Sequence, residues 1–172
     1  MNGEEPGGGA PLEASFEELF RTGYWPLVRS LSVAADREVV ADCVADAFER
    51  AYARWGRISR YDEPIAWVRR VAVNRLRDHL RRAERGRRAT DRLIAGVEGP
   101  PADPSALDIA SVLAELPLQQ RIAAALFYVD DLSVSAVAEA MAISEGAVKF
   151  HLHQARVRLR PILEPFVVED EQ

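Results

Sequence analysis

Three runs of residues have types and spacings with chemical consequence. Arg70, Asn74, Arg77 and Arg81 stand at i, i+4, i+7 and i+11, steps that bring side chains to one face of an α-helix. Arginine neutralises phosphate, and an asparagine amide reads a base edge through its paired donor and acceptor. Lys149, His153, Arg156 and Arg160 step by four, three and four, one residue behind Val148, Leu152, Ala155 and Leu159. One helix would therefore carry an apolar stripe and a basic one. Glu38, Asp42, Asp46 and Glu49 form an acidic ladder at similar steps. A merely solvated charged face has the same period, so spacing alone leaves binding and solvation open.

The same residues argue against catalysis. There is no nucleotide-binding glycine loop, nucleophile elbow or metal-ligand cluster, and Gly7 to Gly9 lie without the strand and helix a phosphate loop requires. His151 and His153 are two apart and point to different helix faces, while His79 falls in the basic run. The chain is expected to be no enzyme and to have no catalytic, cofactor-binding or metal-binding residues.

Formal charge is −5 over 172 residues, but its distribution matters more than its sum. Residues 1 to 49 carry −7, residues 50 to 92 carry +9 and residues 93 to 172 carry −7. The central third is a basic block between two acidic ones. All but one of the 22 basic residues are arginine, a skew that a GC-rich genome also produces, so arginine placement says more than arginine identity. The lone Cys43 excludes an internal disulfide, fits a reducing compartment and reads as a small core residue. No apolar run reaches the roughly 18 residues of a membrane span, and the start, MNGEEPGGGAPLEA, is acidic where a secretory signal would be basic. The expected location is cytoplasmic, without membrane insertion.

Apolar residues recur at helical spacing along almost the whole chain, which predicts an all-α protein. Ser15 and Glu18 form a capping box for a first helix that Pro26 should kink or end. A second helix from Asp36 buries Val39, Val40, Cys43, Val44, Ala47, Phe48 and Ala51, with the acidic ladder on its wet face. After a connection at 57 to 63, Asp62 and Pro64 open a third helix with Trp67, Val68, Val71 and Leu76 inside. The rhythm fades into GVEGPPADPSA, so a flexible linker is expected over 89–107. Two small helical domains result, 15–88 and 108–163, between a tail at 1–14 and an acidic tail at 164–172. The second domain holds helical patterns at Ile109 to Leu116, Leu118 to Val129, Ser133 to Met141 and Glu145 to about Ile162. Its last two, joined by a tight turn at Ala142 to Ser144, have the layout of a helix-turn-helix. With Ser144 as N-cap, Glu145, Gly146, Lys149 and Phe150 would lie nearest a major groove.

LSVSAVAEAMAISEGAVKFHLHQARVRLR resembles the C-terminal region of extracytoplasmic-function sigma factors, written LS-x-x-E-IA-x-x-L-G-I-S-x-G-TVK-S-R-L-x-R-AR-x-x-LR. Shared positions include Leu132, Ser133, Ile143, Ser144, Gly146, Val148, Lys149, Leu152, Ala155, Arg156 and Arg160, and LPLQQR (Leu116 to Arg121) is similar to that family's LP-x-x-x-R. ADCVADAFERAY and PIAWVRRVAVNRLRDHLRR resemble the helices of its other half, DLVQETFLRAW and RAWLYRIARNLAIDHLRR. Both halves occur in order, over about 145 residues, roughly Ser15 to Ile162.

The resemblance implies a promoter-recognition subunit whose partners are core RNA polymerase and promoter DNA, with an anti-sigma factor as a further candidate. Tyr61, Arg70, Asn74, Arg77 and Arg81 would meet the minus-ten element, the loop 57 to 63 holding a flipped base. Glu145, Gly146, Lys149, Phe150, His153 and Arg156 would meet the minus-thirty-five element. Glu38, Asp42, Asp46 and Glu49 would meet the polymerase. The sequence departs from the pattern at Ala45 and Asp46, usually glutamine and glutamate, and at Phe150, His151 and Gln154, usually serine, arginine and arginine. Two rivals remain at this point: a helix-turn-helix regulator with a sensory N-terminal domain, which leaves the central basic helix unexplained, and a helical interaction adaptor.

Overall fold

In the computed structural model, backbone is described for residues 10–91 and 109–167, and side chains for 15–86 and 112–162. The described residues form helices and their connections, with no strand among them. The order is α1 (Ala10–Leu31), α2 (Arg37–Tyr52), α3 (Trp55–Ile58), α4 (Pro64–Asp91), α5 (Ile109–Ala114), α6 (Leu118–Ala124), a π-helical turn (Ala125–Val129), α7 (Val134–Met141) and α8 (Glu145–Val167). The expected linker, 89–107, lies outside the described residues except at 89–91, which belong to α4 and not to a linker.

α1 corrects two expectations. It starts at Ala10, so Ser15 lies inside the helix instead of capping it. Ser15 Oγ accepts a hydrogen bond from the indole Nε1 of Trp55 (3.1 Å), and Glu18 pairs with Arg21 at 2.7 Å. Pro26 does not end the helix, which continues to Leu31. An interior proline costs about 3 kcal/mol, but Leu27, Val28 and Leu31 just beyond it are all buried. Tertiary burial of that size outweighs the local cost, at roughly 1.5–3 kcal/mol per large apolar side chain.

α2 follows its sequence pattern. Asp36 is its N-cap, with Oδ1 accepting from the backbone N–H groups of Glu38 and Val39. Val40, Cys43, Val44, Ala47, Phe48 and Ala51 are buried, and Val39 is partly so. Phe16 and Phe20 of α1 pack edge-on against Trp55 and Phe48, ring centroids 5.2 and 5.1 Å apart. Val68, Ala72, Val73 and Leu76 of α4 complete this half of the core, with Trp67 packed at its edge.

The expected helix Leu118 to Val129 is α6 followed by one π turn, in which Asp130 N–H reaches back to the Ala125 carbonyl. α7 is capped by Ser133, whose Oγ accepts from Ala136 N–H. Ala142 takes the left-handed conformation at φ 52° and ψ 48°, and Ser144 Oγ then accepts from Ala147 N–H to start α8. Val148, Leu152 and Ala155 are buried and Leu159 partly so, as the stripe requires. α8 continues past Pro161 and Pro165 to Val167, beyond the expected end.

The two helical domains share part of their core. One cluster of buried side chains runs from Leu27, Val44, Phe48, Val73 and Leu76 into Ile122, Leu126, Val137, Met141 and Leu152.

The left-handed turn at Ala142 generates a prediction. Cβ crowding in this conformation costs an L-residue roughly 1–2 kcal/mol, which glycine avoids. Ala142→Gly should therefore raise stability by about 1 kcal/mol after the glycine's extra unfolded-state entropy. The check is a thermal melt, with the midpoint rising by about 2–4 °C for a chain of this size.

Candidate nucleic-acid interface

α4 has to serve two surfaces at once. Its apolar side faces α1 and α2, and α7 packs along it as well. Of its expected DNA-facing residues, Arg70 and Arg81 are exposed, whereas Asn74 and Arg77 are only partly accessible. Arg77 is turned inward, and its Nη1 donates to the carbonyl of Met141, at the turn of the helix-turn-helix. Burial, together with repulsion from Arg81, lowers its pKa from the usual arginine value. His151 of α8 lies on the same seam, its pKa lowered by burial and by the Arg77 cation. Tyr61 sits exposed in the turn before α4, its N–H bonded to the Ile58 carbonyl.

The α7–α8 pair presents its predicted face outward. Glu145, Gly146, Lys149, His153 and Arg156 are exposed, and Phe150 is 58 % exposed, an aromatic side chain held off the core. Arg156 lies back along its own helix, Nε to the Leu152 carbonyl at 3.3 Å. Lys149, Phe150, His153 and Arg156 thus share an accessible edge that combines cations with an aromatic ring. Such an edge suits phosphate contact and groove insertion.

The acidic ladder is less uniform than its spacing suggests. Glu38, Asp42 and Glu49 are exposed, but Asp46 is held inside the molecule's own ion-pair network. Its Oδ1 accepts from Arg75 Nη2 at 3.0 Å, and its Oδ2 accepts from the Nε atoms of Arg75 and Arg50. The Arg75 hydrogen bond is the main reason its carboxyl titrates below the ordinary aspartate value. Asp46 therefore fastens α2 to α4.

Three cations to which the sequence pattern assigned no role also organise the structure. Arg75 is one. Arg69 is another, its Nε 3.2 Å from Asp130 Oδ2 with the side chains only 15 % and 17 % exposed; the contact is ionic without hydrogen-bond alignment. The third is Arg121, the arginine of LPLQQR. Its Nη2 donates to the carbonyls of Ala114 (2.7 Å) and Leu116 (3.0 Å), and its Nη1 to that of Ala34 (3.3 Å). That motif position thus ties the end of α5 to α6 and to the α1–α2 turn. Arg69 and Asp130 are 61 positions apart in sequence, so no local period could pair them.

The Asp46–Arg75 bond gives a pH-dependent expectation. A carboxyl whose folded pKa is depressed stabilises the fold fully above its unfolded value, near 3.9, and loses that contribution as pH falls through the folded value. A double-mutant cycle of Asp46→Asn and Arg75→Ala, followed by urea unfolding, should show favourable coupling at pH 7. The coupling should decline progressively below about pH 4. A coupling independent of pH would show that the contact is packing and not charge.

Comparison with known proteins sets these surfaces in context. The family models "Sigma-70 region 2" and "Sigma-70, region 4" match residues 24–86 and 106–159. The ECF RNA polymerase sigma factor SigM of Mycobacterium tuberculosis is 30% identical over 152 residues, covering 87% of this chain and 77% of the relative. The RNA polymerase sigma-E factor of Streptomyces avermitilis is 34% identical over 155 residues, covering 87% and 85%. Among solved structures, the sigma factor RpoE bound to the anti-sigma factor NepR from Bartonella quintana superposes with a TM-score of 0.69 at 22% identity, covering 87% of this chain and 97% of RpoE. CnrH in complex with the cytosolic domain of CnrY gives 0.60 at 21%, covering 89% and 90%. With both sigma regions in order on one chain, and relatives matched over most of their length, the chain belongs to the extracytoplasmic-function group of the sigma-70 family of RNA polymerase sigma factors.

Proposed function

We propose that this sigma factor divides its work among the three surfaces described above. The exposed members of the acidic ladder, Glu38, Asp42 and Glu49, dock on core RNA polymerase. Complementary charge there speeds encounter and rejects wrong partners, while adjoining apolar contacts carry affinity. Arg70, Asn74, Arg77 and Arg81, with Tyr61 in the preceding turn, engage the minus-ten element. A base captured from the opened duplex offsets the few kcal/mol of unstacking, so binding itself supports strand opening. The helix-turn-helix reads the minus-thirty-five element through Glu145, Gly146, Lys149, Phe150, His153 and Arg156. No catalytic step belongs to this chain; it acts in the cytoplasm, and an anti-sigma protein, like the one that holds RpoE, is a further partner in this reading.

The observation that carries it is the outward edge of α8. Lys149, His153 and Arg156 are exposed together around Phe150, while Val148, Leu152 and Ala155 anchor the same helix in the core. Run-off transcription with purified core polymerase is the direct experiment, the expected result being initiation at a defined start site in the absence of any other sigma factor. A regulator would require a resident sigma, and an adaptor would need neither promoter element.

Lys149→Ala with Arg156→Ala leaves the buried stripe intact, so helical content should survive. If each cation neutralises one phosphate, the slope of log affinity against log salt for holoenzyme on promoter DNA should flatten by about 1.8, on the order of 0.9 per contact. Affinity should fall alike for native and scrambled minus-thirty-five sequences, whereas Phe150→Ala should change which sequence is preferred. An unchanged salt slope would remove α8 from the DNA.

A further inference from the structure

We propose that Phe150 reads the C5-methyl group of a thymine in the minus-thirty-five element, so that recognition of this element is partly apolar. The proposal rests on the reading of α8 given above and deepens it. Phe150 is 58 % exposed and stands in the second turn of α8 after the Ser144 cap, in the part of a recognition helix that meets base edges. A phenyl ring has no donor and no acceptor for the hydrogen-bonding groups that a base pair displays. In the major groove the apolar feature it can meet is the thymine C5-methyl. Wedging between base steps is chiefly a minor-groove device, and this element is read as duplex.

Two features of the helix prepare the ring for that contact. A helical side chain leans over the turn before its own Cα, which for Phe150 is the turn that holds Gly146. Gly146 is exposed, and a Cβ there would meet nothing nearer than Ser144 Oγ at 3.9 Å. Packing within the protein therefore does not call for glycine, which is a poor helix former. Its bareness leaves room for a base edge to come up against the ring. The second feature is a neighbour on the same helix: the ring meets the imidazole of half-buried His151 edge-on, centroids 5.8 Å apart. That contact restricts the ring before DNA arrives, so less freedom is lost on binding. Both residues depart from the family pattern, which has serine and arginine at these positions. Lys149 and Arg156 supply phosphate contacts, which fix register but carry no sequence information. Specificity in the second turn then falls to Phe150.

Deoxyuridine is thymidine without the methyl and keeps the same hydrogen-bonding edge, so exchanging one for the other isolates the contact. Holoenzyme selecting among promoter duplexes randomised over the minus-thirty-five element should fix a thymine at one position, on either strand. Phe150→Ala and Phe150→Ser should relax that position alone. Deoxyuridine there should weaken binding of the unaltered holoenzyme by about fourfold, the worth of one methyl-sized group removed from an apolar contact. The same exchange should leave Phe150→Ala holoenzyme indifferent, whereas Phe150→Leu, still apolar, should keep a preference for the methyl. Because the ring is exposed, these variants should fold as the unaltered chain does, which a thermal melt checks.

Equal binding of thymine and deoxyuridine duplexes at every position would overturn the proposal, as would a discrimination that survives in Phe150→Ala. If Phe150→Ala instead weakens assembly with core polymerase in the absence of DNA, the ring is a protein anchor and the proposal also fails. The double variant Lys149→Ala with Arg156→Ala distinguishes these failures from failure of the α8 reading. A flattened salt slope without methyl discrimination removes Phe150 alone from the readout. An unchanged slope removes the whole helix from the DNA, and the methyl contact with it.

Discussion

The structure depends on a single constraint: α4 must bury apolar residues toward two different neighbours and still carry the chain's densest run of cations. Val68, Ala72, Val73 and Leu76 are all fully buried, and α4 packs on α1 and α2 as well as on α7. Small residues make this possible. Ala72 is fully buried, and Val73 and Leu76 belong to the cluster that runs on into α7. Gly23 of α1 leaves room for the side chain of Ile65 of α4, since a Cβ there would lie 2.6 Å from Ile65 Cδ1. Elements that meet α4 are thereby fixed in register, and the surfaces proposed for polymerase and for DNA inherit their relative placement from it.

Burying cations along such a helix is costly unless each finds an oxygen. The seam answers with three arginines in different circumstances: Arg69 opposite a carboxylate, Arg77 on a helix-terminal carbonyl, and Arg121 spread over three carbonyls. The carbonyls at the ends of α5 and α7 have no later helical N–H to accept, and the negative end of a helix dipole favours a cation there. The forked guanidinium can meet several acceptors at once, which a lysine ammonium does with less geometric fit. His151 belongs to the same arrangement. In the related sequence pattern this position is an arginine; here a half-buried imidazole lies close enough to Arg77 for that cation to lower its pKa, so the seam avoids a second permanent charge.

How much of this the sequence revealed depends on whether the determining contact is local. The helix-turn-helix was legible to within a residue from α7 to the start of α8, though not at the end of α8, because Ser133, the Ala142 to Ser144 turn and the stripe at Val148, Leu152 and Ala155 are all short-range signals. α2 was equally clear, from the Asp36 cap through its buried face. The first helix was misread at both ends because its local signals were overridden. Ser15 is used by Trp55, 40 residues away, and Pro26 is carried through by the burial of Leu27, Val28 and Leu31. Asp46 shows the same limit at the level of the site. Its spacing matches an outward acidic ladder, yet its partner is Arg75 on another helix. Charge periodicity reports which face a residue occupies, not whether that face meets solvent or a neighbouring element.

The π turn at Ala125–Val129 is the least predictable feature and connects these points. Its sequence, ALFYV, is apolar and helix-compatible, and nothing in it signals a change of winding. A single i→i+5 turn accommodates one extra residue and so advances everything after it by roughly 100° relative to a continuous α-helix. Here that shift falls immediately before Asp130 and the left-handed Asp131 at φ 51°. With regular winding, Asp130 would point about a quarter-turn away from Arg69, and the chain would leave for α7 in another direction. Both the ion pair and the course of α7 across α4 therefore depend on the altered winding.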